Sequence, residues 1–181
     1  MKKMLLLCVA VIALLQVNAQ EKSPDSVIQR VFRAVKNNDE AAFVKVFPDL
    51  EGMLLMLKEF DPNGLDVEAD SMIRAQYAGA LKEDFREFMN RLENKGVRHS
   101  QLVFVKADYS VDEMKMSDNP EGHSREASGI IYVKADGEEY EIPFGNLIWS
   151  DELKGWFGIH LKSFRKKGEV EEDDFMIEDI P

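Results

Sequence analysis

The dipeptide Asp136-Gly137 constrains this chain more than any other feature, because it fixes which residues of two strands face each other. Both positions of a two-residue hairpin turn need positive φ, and Asp-Gly adopts it at little cost. With that turn, Ala135 stands opposite Glu138, Val133 opposite Tyr140, Ile131 opposite Ile142 and Gly129 opposite Phe144, all on one face. The other face pairs Lys134 with Glu139, Tyr132 with Glu141 and Ile130 with Pro143. The apolar and polar sets separate, which supports the register, since a slip of one residue would exchange them.

A second hairpin can be read independently. If Asp151 to Lys154 is its loop, Ser150 faces Gly155, Trp149 faces Trp156, Ile148 faces Phe157, Asn146 faces Ile159 and Phe144 faces Leu161. Phe144 falls on the apolar face by both constructions. The expected core face carries Ile131, Val133, Tyr140, Ile142, Phe144, Ile148, Phe157, Ile159 and Leu161. Asn146 is its polar exception, read either as a local kink beside Gly145 or as a hydrogen-bonding group in a pocket. The opposite face then holds Leu147, Trp149 and Trp156, with Ile130, Tyr132 and His160 further along. Two tryptophans on a solvent face call for a cover. Either the N-terminal helices or the acidic tail supplies it, or the face is a partner surface, a ligand surface or a homodimer interface. Trp149, Trp156, Tyr132, His160 and Leu147 are accordingly the candidate binding residues.

Upstream of the hairpins the apolar period is helical. Ser23 and Pro24 suit the start of a helix carrying Val27, Ile28, Val31, Phe32 and Val35. Asp39 can cap a short second helix through Phe43, Val46 and Phe47, which Pro48 stops. Met53, Leu54, Leu57 and Phe60 mark a third, ended by the turn Asp61-Pro62-Asn63-Gly64. The longest helix is predicted from about Asp66 to Lys95, with Ile73, Tyr77, Ala80, Leu81, Phe85, Phe88 and Leu92 as its apolar stripe and Gly96 closing it. The period then changes to two, giving strands near 99–109, 126–135, 138–149 and 154–164, with a polar loop from Ser110 to Ser124 after the first. The expected class is α+β: N-terminal helices and one long helix packed on a curved four-stranded antiparallel sheet.

The first 19 residues read as a cleaved signal peptide: Lys2 and Lys3, an apolar run from Met4 to Leu15, then Val17-Asn18-Ala19. The run is shorter than the ~20 residues of a membrane-spanning helix, so no membrane span is expected. The rival reading, acylation of Cys8, lacks the small residue expected before a lipidated cysteine, since Leu5-Leu6-Leu7 stands there. The expected division is 1–19 signal peptide, 20–168 a single α+β domain and 169–181 an acidic tail, in a periplasmic or secreted protein. Cleavage takes the 181-residue chain to 162, removes its single cysteine, and moves the net charge from −11 to −13 with the loss of Lys2 and Lys3. Disulfides are then excluded even where the compartment permits them. The acidic balance disfavours nucleic acid and anionic membrane surfaces as partners.

Motifs that carry chemistry are few. His99, His123 and His160 form no HxH, HxxxH or HExxH pattern, and there is no P-loop, GxGxxG or GxSxG. No metal, cofactor or catalytic residue is assigned. One acid/base group can be drawn, from Asp108 and Tyr109 at the end of the first strand and His123 on the long loop.

Helices leading into a long helix, followed by an antiparallel sheet that curls around it, resemble the cystatin-like/NTF2-like superfold over about Asp25 to Phe164. The early strand or hairpin usual in the NTF2-like pattern is not found here, and no isomerase-type Tyr/Asp pocket maps onto this chain. The cystatin motif Gln-x-Val-x-Gly is met at Gln101-Leu102-Val103-Phe104-Val105 except for its glycine, so the inhibitor role is not carried over. Members of the superfold include isomerases, hydratases, ligand binders and interaction modules, so the resemblance implies a fold and leaves function open. The leading expectation is an exported, non-catalytic domain that binds a protein partner or a small apolar ligand. The alternatives are a small isomerase- or hydratase-type enzyme with a pocket between sheet and long helix, and a structural component of an envelope assembly.

Overall fold

Helix α1 (Pro24–Asn37) starts where its sequence directs. The Ser23 hydroxyl accepts a hydrogen bond from the Asp25 amide, Pro24 occupies the first turn, and Asn38 ends the helix in the left-handed region at φ 51°. The computed structural model describes residues 23–60, 67–115 and 123–169. The signal-peptide segment, the Asp61-Pro62-Asn63-Gly64 turn and the acidic tail with Phe175, Met176 and Ile177 lie outside the described residues.

Helix α2 (Glu40–Val44) is capped by Asp39, whose Oδ1 accepts from the Ala42 amide at 2.9 Å. Helix α3 (Leu50–Phe60) follows Pro48, and Asp49 accepts from the Gly52 amide at 2.8 Å. The long helix α4 spans Val67–Asn94, with Gly96 beyond it at φ 73°. Its expected stripe divides in two. Leu81, Phe85, Phe88 and Leu92 are buried, whereas Ile73 and Tyr77 are half-buried and Ala80 is exposed. The first half is tied instead to the α2–α3 segment: the Tyr77 hydroxyl donates to the Pro48 carbonyl at 2.9 Å, and Arg74, held by Asp70 of its own helix, pairs with Glu51 of α3.

Strands β1 (Val103–Lys115), β2 (His123–Ala135) and β3 (Glu138–Ser150) form a curved, open antiparallel sheet. Three short strands, β4 (Gly155–Phe157), β5 (His160–Leu161) and β6 (Arg165–Lys166), pair in turn with the free edge of β3. The described sheet thus has six strands. The predicted fourth strand, 154–164, is broken into two, with Gly158 at φ 73° between the pieces, and β6 lies just beyond its predicted end. The polar loop expected from Ser110 to Ser124 is also shorter: β1 runs on to Lys115 and β2 begins at His123, in register with each other. Polar residues there alternate in a ladder with few apolar neighbours, which erases the strand signal from the sequence.

Both hairpin registers stand as read. Ala135 pairs with Glu138 and Gly129 with Phe144, across a turn with positive φ at Asp136 and Gly137. Trp149 pairs with Trp156, and Phe144 with Leu161. Between these two registered stretches lies one extra residue. Gly129 pairs with Phe144 but Ala127 pairs with Leu147, so β3 spends three residues where β2 spends two. This is a β-bulge at Gly145-Asn146, with Asn146 at φ 57°. A bulge reverses the facing of every later residue on its strand. Leu147 and Trp149 therefore join Ile142 and Phe144 in the core, and Ile148 turns outward.

The core gathers this inner face under two helices. Helix α1 contacts both β1 and β4. The second half of α4 sets Phe88 edge-on to Phe164 at 6.4 Å and Phe85 against Phe43 at 5.1 Å. The sheet is therefore covered by α1 as well as by the long helix.

Candidate functional site

The structure separates the five candidate binding residues. Leu147 is 0% exposed, Trp156 3% and Trp149 8%, so the expected tryptophan surface is part of the core. The bulge is the reason: the kink at Asn146 was legible, but its reversal of the faces beyond it was not carried through. The two indole rings meet edge-on at 5.8 Å, and Trp149 Nε1 donates to Asp151 Oδ1 at 2.9 Å. The Arg125 guanidinium lies over both rings, at 4.8 and 5.5 Å. Tyr132 stands on the other face, half-buried, with the Lys106 and Lys167 ammonium groups 4.8 and 5.9 Å from its ring.

That outer face is laced with ion pairs: Lys134 and Lys167 with Glu139, and Arg165 with Glu141. Hydrogen bonds from Lys167 first, then Lys134, hold the Glu139 carboxyl below its usual range. These charges pair with one another around Tyr132, and Ile130, Pro143 and Val103 stand on the same face.

The acid/base group drawn from Asp108, Tyr109 and His123 does not assemble. His123 pairs with Lys115, six positions along β1 from Tyr109, a separation of about 20 Å at ~3.3 Å per residue. Tyr109 instead donates its hydroxyl to Asp25 Oδ2 at 3.1 Å, tying β1 to the start of α1. Burial, ahead of its charged and hydrogen-bonded neighbours, pushes the Tyr109 phenol up.

A pocket opens where the bulge turns Ile148 and its partner Phe157 outward. Helix α3 roofs it with Met53, Met56 and Leu57, and the α2–α3 corner adds Phe47 and Pro48. Its volume is about 260 Å³. At ~30 Å³ per water-sized group this holds roughly nine non-hydrogen atoms. Its polar wall comes from Asp84 of α4, Asn146 at the bulge and His160 of β5. The side chains of these three make no hydrogen bond or ion pair with any other described residue.

The roof is fixed by polar contacts outside the pocket. Glu59 Oε1, on the last turn of α3, accepts from the Ser150 hydroxyl at 2.9 Å and from the Glu152 amide. Ser150 Oγ in turn accepts from the Leu153 amide at 3.0 Å, so the end of α3 is pinned to the β3–β4 turn. At the bulge, the Asn146 amide donates to Glu126 Oε1 at 3.0 Å, which satisfies a donor that the interrupted ladder leaves over.

A smaller concavity of about 10 Å³ adjoins the pocket, sharing Asp84 and His160 and bounded by Glu87 and Arg91. It has room for one water. Arg91 is engaged there with the Lys162 carbonyl and with Glu87 at 3.6 Å.

His160, exposed at the rim, is thus the one sequence candidate that lines the pocket. Phe47, Met53, Met56, Leu57, Asp84, Ile148 and Phe157 were missed as site residues. The signal that could have found two of them is Gly145-Asn146 itself, because a bulge there places Ile148 and Phe157 on the outer face. Among the described residues no cluster of three metal-ligating side chains occurs, and no helix is long and apolar enough to cross a membrane. No family model, curated protein or solved structure matches the chain.

Proposed function

We propose that this chain is an exported, non-catalytic binding domain of the cystatin-like/NTF2-like kind, and that the pocket between α3 and the β3–β4 hairpin takes a small apolar ligand. The observation that carries the reading is the pocket lining: two methionines, two phenylalanines, a leucine and two isoleucines around about 260 Å³. Small-molecule sites are commonly concave and apolar with a few convergent polar groups, and Asp84, Asn146 and His160 are such a set. Methionine-rich walls adapt to ligand shape because the side chain is unbranched and polarizable. The export half of the proposal rests on Lys2, Lys3, the Met4 to Leu15 run and Ala19.

Calorimetric titration with 1-octanol tests the pocket. The expected result is saturable binding at one site, abolished by Ile148→Trp, which fills the pocket from its floor, with an unchanged far-UV spectrum. Absence of saturable binding, or binding that Ile148→Trp leaves intact, would overturn the reading. Export is tested by expression of the full chain: a mature N-terminus at Gln20 outside the cytoplasm is expected, and retention of an uncleaved chain inside refutes it.

A further inference from the structure

We infer that the ligand of this pocket is an amphiphile with a cationic amine head, an inference that rests on the pocket reading above and specifies its chemistry. The wall is apolar on every side but one, and on that side the ionised group is Asp84. The carboxylate has no partner among the described residues, although α4 and its neighbours supply several pairs close by. Arg86 is taken by Glu40 at 2.7 Å, and Arg91 by Glu87 and the Lys162 carbonyl. The two arginines that follow Asp84 on its own helix are therefore committed elsewhere. Asp84 is exposed, and an unpaired carboxylate at the edge of an apolar cavity favours an ammonium head and repels a carboxylate or phosphate one.

The other groups at the mouth agree. Asn146 and His160 can each accept from an ammonium N–H, and Glu126 lies behind Asn146, bonded to its amide. The volume, at roughly nine non-hydrogen atoms, limits the body to a short alkyl chain or a single ring. An octyl chain with its amine nitrogen fills that space.

The test compares n-octylamine, 1-octanol and octanoate by calorimetry on the full-length protein and on Asp84→Asn, with Glu93→Gln as a charge-matched control on the same helix. The ammonium ion should bind about 1.4- to fivefold tighter than the alcohol at low salt and octanoate weakest, because one exposed charge contact is worth that much and salt screens it. Asp84→Asn should bring amine and alcohol to equal affinity while leaving the alcohol unchanged, and Glu93→Gln should preserve the preference. Equal binding of amine and alcohol to the unmodified protein overturns the cationic head and leaves the apolar pocket standing. An amine preference that survives Asp84→Asn also overturns it, since the attraction then comes from the acidic chain as a whole. No binding of any probe removes the pocket reading and this inference with it.

Discussion

Truncating Leu147 and Ile148 to alanine, one at a time, should give opposite results to those expected of an unbulged strand. Leu147 is 0% exposed and belongs to the continuous core cluster. Removing three of its carbons leaves a cavity walled by rigid neighbours, a change that costs about 2–5 kcal/mol. Ile148 is half-buried and borders the pocket, so its truncation widens a space already open to solvent. There is no new void, and the loss is about 1 kcal/mol, half the transfer value of its carbons. Urea unfolding followed by far-UV circular dichroism measures both, and the slopes should match those of the unmodified protein so that midpoints report stability. In heat, each kcal/mol should appear as a shift of about 2–4 °C. An Ile148→Ala loss equal to or larger than that of Leu147→Ala refutes the reversal of faces, and with it the placement of the pocket. Asn146 gives an independent check. Its left-handed backbone should make Asn146→Val cost about 1–2 kcal/mol, while Asn146→Gly stays near neutral.

Gly129 has no space for a side chain: a Cβ would stand 2.2 Å from the Asp108 carbonyl oxygen and 2.6 Å from Tyr109 Cα. Gly129→Ala should force β1 away from β2 and lower stability by more than about 2 kcal/mol, and an unchanged urea midpoint would count against this pairing. Trp156→Ala should cost about 3–5 kcal/mol, whereas a tryptophan on a free surface would be removed at little cost; a midpoint shift below about 1 kcal/mol would contradict its burial against α1. Burial, with a smaller contribution from Asp49, pushes the Tyr77 phenol up from 10.0 to about 12. The folded state then keeps this proton where the unfolded chain loses it, so the stabilisation is intact below pH 10 and drains away between pH 10 and 12. Because the ring is half exposed the loss should stay under about 2 kcal/mol, and Tyr77→Phe should flatten that part of the stability curve; a Tyr77 phenol titrating at the ordinary value of 10.0 would refute it.

Local pairing was legible because turn chemistry is local. Asp136-Gly137 fixes its neighbours through backbone geometry, and the structure keeps that register from Ala135 to Gly129. The tryptophan surface failed for a different reason. The reading carried one alternation through all of β3, although Gly145-Asn146 is the place where an alternation is easily broken, since both residues accept a backbone that strands do not use. The division of the α4 stripe was illegible for a third reason. Ile73, Tyr77 and Phe85 all belong to one helical stripe, and only the position of the α2–α3 segment decides that Tyr77 turns to the Pro48 carbonyl while Phe85 joins the core. The pocket depended on both non-local facts at once. Its floor requires the bulge and its roof requires α3 to cross the hairpin, held by Glu59 against Ser150. His160 entered the candidate set by alternation and lies at the pocket rim beside Asn146 and Asp84, groups that the alternation had not associated with it.

One inserted residue therefore does two things that a regular strand could not do together. An unbulged β3 would send Leu147 and Trp149 to one face with Asn146 and Ile148 on the other, and the hairpin tip would need apolar cover on both sides with only the first side supplied by α1. With the bulge, the two large groups Leu147 and Trp149 are drawn into the core, where burial of each is worth roughly 1.5–3 kcal/mol. The smaller pair, Ile148 and Phe157, is left for the short α3 to cover, and α3 does so incompletely. The left-handed Asn146 sets against this about 1 kcal/mol, reduced because asparagine tolerates that conformation, and its amide recovers a partner in Glu126. The balance favours the bulge on packing alone. The pocket is what remains where the second face is covered by one short helix instead of two, and its apolar walls are the residues that the inner face released.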